Sequence, residues 1–239
     1  MNIVFLTGAG ISSESGLSTY RDLEGIWKEY KLEDVATGQA WKKDKETVLK
    51  FHNLMQDKVL EVEPNHAHKE IAWLANNTDH NVKVLTQNID DLHERAGLSS
   101  DDVYHLHGEI MRSRGTLDPS IKYERREPIN VGDKCEKGSQ LRFDTVLFDE
   151  NPYHLNIAKA LICSADIFVI IGTSLNVFPV SVLPDFAQNS VNYIIDPQGR
   201  HIVNSMDGYG DLTIYKDIKV ISETACIGID TLFGNENLK

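Results

Sequence analysis

A short glycine turn near the start of the chain has residue types suited to binding phosphate. Gly8-Ala9-Gly10 follows an apolar run, and glycine lets a backbone approach a pyrophosphate while the next helix offers unpaired N–H groups. The third glycine of the common GxGxxG pattern would fall at Ser13, which disfavours a conventional hydride-transferring dehydrogenase. The turn alone is a weak signal, because a tight strand-to-helix turn without a ligand has the same composition.

Three apolar runs must position this turn and its partners, and each is followed by small polar residues. The runs are Ile3–Leu6, Val82–Leu85 and Ile167–Ile171, and their composition is typical of strands buried on both faces. Helical patterns intervene over Thr47–Glu61 and Asn65–Ala75. The alternation predicts an α/β fold with a doubly wound, Rossmann-like parallel sheet. Ligands of such sheets bind beyond the carboxyl ends of the strands, so one crevice is expected there.

Composition and charge exclude several classes of protein. The chain has 239 residues, 41% hydrophobic and 25% charged, which fits one globular domain. Its net charge of -12 disfavours nucleic acid or an anionic membrane as a partner. Three scattered cysteines argue against a disulfide framework. The lack of an export signal and of an apolar run of about 20 residues predicts a cytoplasmic protein.

Two segments interrupt the alternating pattern, and we expect them to form a small lobe. Residues 112–140 are charged, weakly patterned and punctuated by glycine and proline, and residues 20–60 leave the glycine turn before the next strand. The chain is therefore expected to be a single domain over residues 1–239, with residues 1–111 and 141–239 in its large lobe.

Several segments resemble the motifs of the sirtuins, the NAD-dependent protein deacylases, and they occur in the family's order. They are Gly8–Gly16, Thr19–Asp22, Thr86–Gly97, Leu106–Glu109, Leu141–Glu150 and Gly172–Pro179. The desuccinylase-like class of bacterial sirtuins is the most similar. This resemblance implies NAD as the cofactor and acyl-lysine proteins or peptides as substrates.

The resemblance also implies catalytic roles. In the family, the acyl-lysine oxygen displaces nicotinamide from NAD, and a neighbouring ribose hydroxyl must then lose a proton. His107 lies in the His-Gly motif and has the right chemistry for this base, although His105 is a competing candidate by residue type. Asn88 and Asp90 would bind the nicotinamide ribose and carboxamide and control water, and helix capping is their alternative role.

The expected cofactor contacts are spread over the glycine turn, the following loop and the strand ends. They are Gly8, Ala9, Gly10, Ile11, Glu14, Gly16, Thr19, Tyr20, Arg21, Trp27, Gln87, Asn88, Ile89, Asp90, Gly172, Thr173, Ser174, Asp196 and Ala225. Arg21 would meet the pyrophosphate, with a surface ion pair to Asp22 as the alternative. Asp196 would bind the adenosine ribose, and Ala225 would contact the adenine or serve a structural role.

The chain departs from the family pattern at the zinc site. Most sirtuins carry four zinc cysteines in the small lobe, beginning shortly after the His-Gly motif. Arg112–Gly115 contains none, and Cys135 has neither a second cysteine nor a histidine nearby to complete a tetrahedral site. We predict no zinc, and expect the lobe to be held by packing and by ion pairs within the run Glu124–Glu127.

A second departure concerns the acyl group. In the desuccinylase-like class, a tyrosine and an arginine three residues later recognise an acidic acyl group. His52 and Met55 occupy those positions, so the bidentate partner of a succinyl carboxylate is lost. We expect a neutral acyl group, which can be long because Met55 is flexible. Core packing is an equally good interpretation of Met55, because its spacing from Phe51 and Val59 is helical.

Peptide substrates in this family lie as an added strand between two enzyme segments. The residues expected to contact the substrate are His52, Met55, Val146, Phe148, Asp149, Glu150, Leu175, Asn176, Val177 and Phe178. The predicted reaction is lysine deacylation that yields nicotinamide, O-acyl-ADP-ribose and free lysine. The alternatives are an NAD glycohydrolase or ADP-ribosyltransferase, and a non-catalytic NAD-sensing module. The sequence leaves the oligomeric state open, with a monomer expected.

Overall fold

The structure is a computed structural model that describes residues 1–17, 30–206 and 217–234. In chain order its strands are β1 (Asn2–Thr7), β2 (Asn81–Thr86), β3 (Val103–His105), β4 (Gly108–Gly115), β5 (Lys122–Glu124), β6 (Leu141–Thr145), β7 (Ile167–Ile171), β8 (Val191–Ile195) and β9 (Lys219–Ile221). Six of these form one parallel sheet in the order β3-β2-β1-β7-β8-β9. The order reverses direction after β1, which is the doubly wound arrangement expected.

Helices cover both faces of this sheet, and others pack in the small lobe. In chain order the helices are α1 (Ala9–Ser13), α2 (Leu32–Val35), α3 (Gly38–Lys43), α4 (Lys45–Glu61), α5 (His66–Asn77), α6 (Leu92–Arg95), α7 (Leu155–Cys163), α8 (Gly199–Met206) and α9 (Ala225–Phe233), with a 3₁₀ helix over Val180–Phe186. Within the described ranges, no helix has the length and apolar composition needed to cross a membrane.

Alternate residues of the central strands pack into two separate cores. Phe5 and Val169 point toward α5 and α9, and they are fully buried among apolar side chains of those helices. Leu6 and Phe168 point to the opposite face, where α7 and the 3₁₀ helix cover them. Burying each such side chain contributes about 1.5–3 kcal/mol, so the all-apolar strand composition is what holds the layers together.

The small lobe contains an antiparallel sheet in the order β5-β4-β6. We expected residues 112–140 to form the lobe as a weakly structured insertion, but its sheet begins at Gly108 and ends at Thr145. The sheet packs against α3 and α4 in a third core that includes Trp41 and Phe143. The sequence pattern did not predict these strands, because the segment is rich in glycines and charges and its apolar residues face only one side of the sheet.

Two of the longer helices begin at residues that satisfy their free N–H groups. Asp44 accepts from the Thr47 amide at 3.1 Å at the start of α4. Asn65 accepts from the Ala67 amide at 3.0 Å at the start of α5, and its own amide donates to the carbonyl of Ile11 at 2.7 Å. The second contact ties α5 to α1 and so fixes the helix that follows the glycine turn.

Candidate functional site

The carboxyl ends of β1, β2 and β7 lie side by side, with the last residue of β1 in parallel register with the last residues of β2 and β7. The amide of Gly8 donates to the carbonyl of Ile171 at 3.0 Å. Across the sheet end, Gln87 Nε2 donates to Thr173 Oγ1 at 2.9 Å. The glycine turn, the segment after β2 and the loop after β7 therefore border one crevice.

The glycines of this crevice are required by packing. A Cβ on Gly8 would lie 2.7 Å from Thr173 Cβ, and a Cβ on Gly10 would lie 2.6 Å from Gly172 Cα. The amide of Gly10 donates to the Gly172 carbonyl at 2.8 Å, so the two turns meet backbone to backbone. No side chain larger than hydrogen fits between them, which keeps the ends of β1 and β7 at their close separation.

Asn88 and Asp90 are joined through a serine that the sequence did not single out. Asn88 Nδ2 donates to the Gly8 carbonyl and to Ser12 Oγ, both at 3.1 Å. Ser12 Oγ in turn donates to Asp90 Oδ2 at 3.0 Å. Ser12 lies in the glycine motif, one turn beyond Gly8, and this place in the motif was the available signal. The network leaves Asn88 Oδ1 without a partner among the described residues.

Asp90 uses its two carboxylate oxygens for different contacts. Its Oδ1 accepts from the Leu92 amide at 3.2 Å, which is the capping role, while Oδ2 faces Ser12 in the crevice. Burial raises the pKa of Asp90 to about 6, against the lowering effect of these hydrogen bonds. The carboxyl group therefore loses its charge in mildly acidic solution.

His107 lies just beyond β3 with one ring nitrogen fixed by the backbone. Its Nδ1 is 2.9 Å from the Gln87 carbonyl, which can only accept, so Nδ1 carries the proton and Nε2 keeps a lone pair. Nε2 has no partner within the part of the chain that the structure describes. Burial lowers the pKa of His107, and the bond to Gln87 opposes this only in part. The neutral ring is therefore prepared to accept a proton at Nε2.

Gly108 allows the strand to turn directly after His107. Its φ is +79°, and a Cβ at this position would lie 1.9 Å from the Asp144 carbonyl oxygen. His105, the competing candidate for the base, has both ring nitrogens occupied by Asn88 and Glu94. The geometry therefore favours His107 for proton transfer.

The residues expected at the adenosine end lie near the carboxyl edge of β8 and the start of α9. Asp196 directly follows β8, and its Oδ1 accepts from the Gln198 amide at 2.7 Å. The Glu14 carboxylate accepts from Thr224 Oγ1 at 3.1 Å and from the Cys226 amide at 2.9 Å, so it caps α9 beside Ala225. These bonds assign Glu14 a structural role in addition to any cofactor contact.

The other expected cofactor residues fall into three groups. Ile11 is fully buried in the core, so only its backbone can face a ligand. Ala9, Gly16, Ile89 and Ser174 lie on the loops or helix that border the crevice, with Ile89 packed in part against the small-lobe core. Thr19, Tyr20, Arg21 and Trp27 lie outside the described residues.

His52 is buried and committed to the fold. Its Nδ1 is 2.8 Å from the Val48 carbonyl and its Nε2 is 3.1 Å from Thr145 Oγ1, while the ring stacks on Phe143. Burial lowers the pKa of His52 to about 4, so the ring is neutral at pH 7. A cavity of about 10 Å³ adjoins the ring, with room for about one water. Met55 lies half-buried against the same small-lobe core.

The segment after β6 forms a turn rather than an extended strand. The Glu150 amide donates to the Leu147 carbonyl at 2.8 Å, and the Asp149 carboxylate accepts from the Gly38 amide at 2.6 Å. The Val146 amide donates to the His107 carbonyl at 2.8 Å, which places this segment beside the candidate base. Phe148 is 53% exposed and free to contact a substrate.

The loop after β7 is also irregular. Leu175 is buried with a φ of +54°, whereas Asn176, Val177 and Phe178 project from the surface. Phe178 is the most exposed of them at 78%. Because neither this loop nor the segment after β6 is a regular strand, both present side chains rather than a continuous ladder of free backbone groups.

The part of the small lobe that the structure describes offers one cysteine as a zinc ligand. Cys135 Sγ lies 3.2 Å from Ser139 Oγ, and the other two cysteines lie in α7 and α9 of the large lobe. Among the described residues, no three His, Cys, Asp or Glu side chains are grouped to hold a metal. We predicted ion pairs within the run Glu124–Glu127, and this prediction was wrong. Arg125 pairs instead with Asp133, and Arg126 pairs with Asp91.

Comparisons with known proteins agree with this geometry. Residues 8–179 match the family described as the Sir2 family. An NAD-dependent protein deacylase of Helicobacter pylori is 42% identical over 201 residues, covering 84% of this chain and 86% of that protein. An NAD-dependent protein deacylase of Bacteroides thetaiotaomicron is 43% identical over 205 residues, covering 82% of this chain and 86% of that protein. A solved Sir2 homologue–NAD complex superposes with a TM-score of 0.81 at 34% identity, over 96% of this chain and 87% of that one. The chain belongs to the Sir2 family.

Proposed function

We propose that this chain is an NAD-dependent protein-lysine deacylase that acts on neutral acyl groups. The observation that carries the proposal is the environment of His107, whose Nδ1 is fixed by the Gln87 carbonyl and whose Nε2 has no partner among the described residues. Relatives that are NAD-dependent protein deacylases, at 42% and 43% identity, support the same reaction here.

The residues of the crevice fit NAD. The turns at Gly8 and Gly172 would lie against its phosphates, Asn88 Oδ1 would bind the nicotinamide ribose, and Asp196 would accept from the adenosine ribose. When bound, NAD supplies an electrophilic ribose carbon that the acyl oxygen attacks as nicotinamide leaves. The chain's own side chains then need only to orient the reactants, exclude water and move one proton.

His107 would accept that proton at Nε2. A neutral imidazole with the proton held on Nδ1 is the form that a base requires, and the bond to Gln87 keeps the ring in this tautomer. Burial lowers the pKa of His107, so the ring is neutral at pH 7. General base catalysis of this kind contributes about 10²–10⁴-fold to a rate.

Asn88, Ser12 and Asp90 would orient the nicotinamide end of the cofactor. The hydrogen bonds from Asn88 to Gly8 and Ser12 fix the amide, so that Oδ1 faces the crevice with little freedom to rotate. A fixed polar group of this kind lowers the entropic cost of reaching a reactive geometry. The same rigidity would restrict where a water molecule can approach the reacting carbon.

The environment of His52 supports a neutral acyl group. The ring is uncharged at pH 7 and both nitrogens are bonded within the fold, so it offers no cation to a succinyl carboxylate. Arg142 also lines the neighbouring cavity, but its guanidinium is occupied by Glu150 at 2.8 Å and by the Thr145 carbonyl at 2.7 Å. Neither His52 nor Arg142 therefore offers a free cation to an acidic acyl group.

Acyl-lysine proteins or peptides are the proposed substrates, and the segments around Val146 and Asn176 would contact them. The net charge of -12 favours lysine-containing partners. Asp149 and Glu150 contribute less to this than their charge implies, because both bond to other parts of the enzyme. Three unpaired cysteines are consistent with a reducing, cytoplasmic location.

The proposal is tested by following nicotinamide release from NAD with and without acetyl-, octanoyl- and succinyl-lysine peptides. We expect release that requires an acetyl peptide and falls at least about 100-fold in His107→Ala. Asn53→Ala, which alters only a small-lobe contact to Ile129, is the matched control for folding. Release that needs no peptide would instead support an NAD glycohydrolase, and the absence of any release would support an NAD-sensing module.

A further inference from the structure

His105 lies at the end of β3, two residues before the candidate base, and both of its ring nitrogens face acceptors. Nδ1 is 3.0 Å from the Asn88 carbonyl and Nε2 is 2.8 Å from Glu94 Oε1. Neither a carbonyl nor an ionised carboxylate can donate, so both nitrogens must carry protons. The side chain is only 6% exposed, which makes His105 a buried imidazolium paired with a carboxylate.

The groups around His105 favour its charged form. Burial lowers its pKa, but the hydrogen bond and charge of Glu94 from α6, together with Glu109 from β4, raise it to about 9. Asp90 after β2, His93 in α6 and His154 before α7 also lie within electrostatic reach. Glu94 Oε2 is buried and has no hydrogen-bond partner among the described residues, where the ion pair to His105 offsets the charge of Glu94.

His105 and His107 donate hydrogen bonds to the carbonyls of two consecutive residues. The Leu106 amide donates to the Thr86 carbonyl at 2.8 Å, His107 holds the Gln87 carbonyl, and His105 holds the Asn88 carbonyl. Each residue of the segment 105–107 therefore forms a hydrogen bond to one carbonyl of residues 86–88. At the other side of Asn88, the side-chain amide is fixed by Gly8 and Ser12.

We propose that His105, held by Glu94, is a positioning residue that fixes the main chain of Asn88 and so aims its side chain at the nicotinamide end of NAD. His105 touches neither cofactor nor substrate and acts only through the Asn88 carbonyl. The inference rests on the proposed function of the crevice, because it assigns Asn88 its cofactor contact.

Two variants separate the hydrogen bonds from the charge. In His105→Gln, one side chain cannot reach both Asn88 and Glu94, so we expect the KM for NAD to rise about tenfold, with the KM for the acyl peptide little changed. In Glu94→Gln, the new amide can donate to Nε2 of a neutral His105, whose Nδ1 still donates to Asn88. This variant should keep a near-native KM for NAD at pH 7.5. His66→Gln, which removes an exposed pair with Asp230, is the matched control.

The pH dependence supplies a measurement that a purely structural role would not change. In the native enzyme, His105 loses a proton near pH 9, and its Nε2 lone pair then faces the Glu94 carboxylate, so the KM for NAD should rise there. In Glu94→Gln this alkaline rise should disappear. A native KM in His105→Gln, or an alkaline rise that persists in Glu94→Gln, would overturn the assignment.

Nitrogen NMR of histidine-labelled protein tests the same assignment without any activity. We expect both ring nitrogens of His105 to be protonated at pH 7.5 in the native chain, and only Nδ1 in Glu94→Gln. A native chain in which Nδ1 of His105 carries no proton would overturn the inference, even if the variants fold poorly, because Nδ1 could then not donate to the Asn88 carbonyl. A native chain without peptide-dependent nicotinamide release would instead overturn the proposed function, whereas an active chain in which His105→Gln has no effect would overturn only the positioning role.

Discussion

His107 owes its readiness to accept a proton to two features of its surroundings. The Gln87 carbonyl selects the tautomer, and burial keeps the ring neutral. Asp90, on the other side of the same crevice, is shifted in the opposite direction by the same physical cause, because burial disfavours the charge of either group. Asp90 therefore changes protonation near pH 6, and the pKa of His107 lies below its ordinary value.

The pH profile should reflect these two groups. The base is active when neutral, and its pKa lies below the ordinary value of 6.5, so kcat/KM should be level at neutral pH and fall as the pH drops below that value. Protonation of Asp90 near pH 6 acts in the same direction. In Asp90→Asn, the fall of kcat/KM at acidic pH should come from protonation of His107 alone. Steady-state rates between pH 5 and 8 measure this, and a midpoint above the ordinary histidine value would contradict it.

Acyl choice is the second property that belongs to single residues. Met55→Arg would restore a guanidinium where the desuccinylase-like class has one, and we expect the succinyl-to-acetyl ratio of kcat/KM to rise about tenfold. Met55→Leu keeps the apolar contact and should leave the ratio unchanged. The ratio is measured by competition between the two peptides. A native enzyme that already prefers succinyl peptides would show that His52 and Met55 do not determine this choice.

At the scale of elements, the turn between β3 and β4 positions the base. Gly108 and Gly97 both have positive φ, at +79° and +105°. The space around them differs. A Cβ on Gly108 would lie 1.9 Å from the Asp144 carbonyl oxygen, whereas no atom of the described residues, apart from the chain neighbours, lies within 4 Å of a Cβ on Gly97. The pair therefore separates backbone strain from steric exclusion.

Alanine at these two glycines should have unequal effects. Gly97→Ala should lower the free energy of unfolding by about 1–2 kcal/mol through strain alone. Gly108→Ala adds a backbone collision, so we expect a loss of at least about 3 kcal/mol and a large loss of activity. Urea denaturation gives the first quantity, and similar losses in the two variants would contradict the described turn.

Local patterns predicted the three adjacent strands β2, β1 and β7 of the large sheet, because strands buried on both faces have a distinctive apolar composition. The strand predicted over Ile167–Ile171 is confirmed residue for residue. The strands observed at the two other apolar runs are each one residue longer at both ends than predicted. The small sheet was not predicted, since its charges and glycines resemble a loop. The link from Asn88 to Ser12 could not be predicted either, because it depends on the register of β1 against β2.

At the scale of the whole molecule, the described contacts tie the strands of the small lobe to one another and join the lobe to α4. Gln56 of α4 donates to the carbonyls of Ile110 and Arg125 at 3.0 and 2.9 Å. Buried Asp144 pairs with Arg114 at 3.1 Å and with Lys122 at 2.6 Å. The bonds of Gln56 orient β4 against α4, and the ion pairs of Asp144 connect β6 to β4 and β5. We expect these contacts to constrain the lobe without a zinc site.

Metal removal should therefore have no effect. We expect elemental analysis of the purified protein to find far less than one zinc per chain. The melting temperature and peptide-dependent activity should be the same with and without a strong zinc chelator, because the folded lobe needs no thiolate ligands. Stoichiometric zinc, or unfolding of the lobe on chelation, would show that the contacts of Gln56 and Asp144 are not sufficient.

The identity of the products tests the central claim most directly. Mass spectrometry of a reaction with NAD and an acetyl-lysine peptide should show nicotinamide, O-acetyl-ADP-ribose and free-lysine peptide in equal amounts. His107→Ala should form the last two at least about 100-fold more slowly. ADP-ribose without an acyl group, formed at the same rate whether or not the peptide is present, would contradict the assignment of this chain as a deacylase.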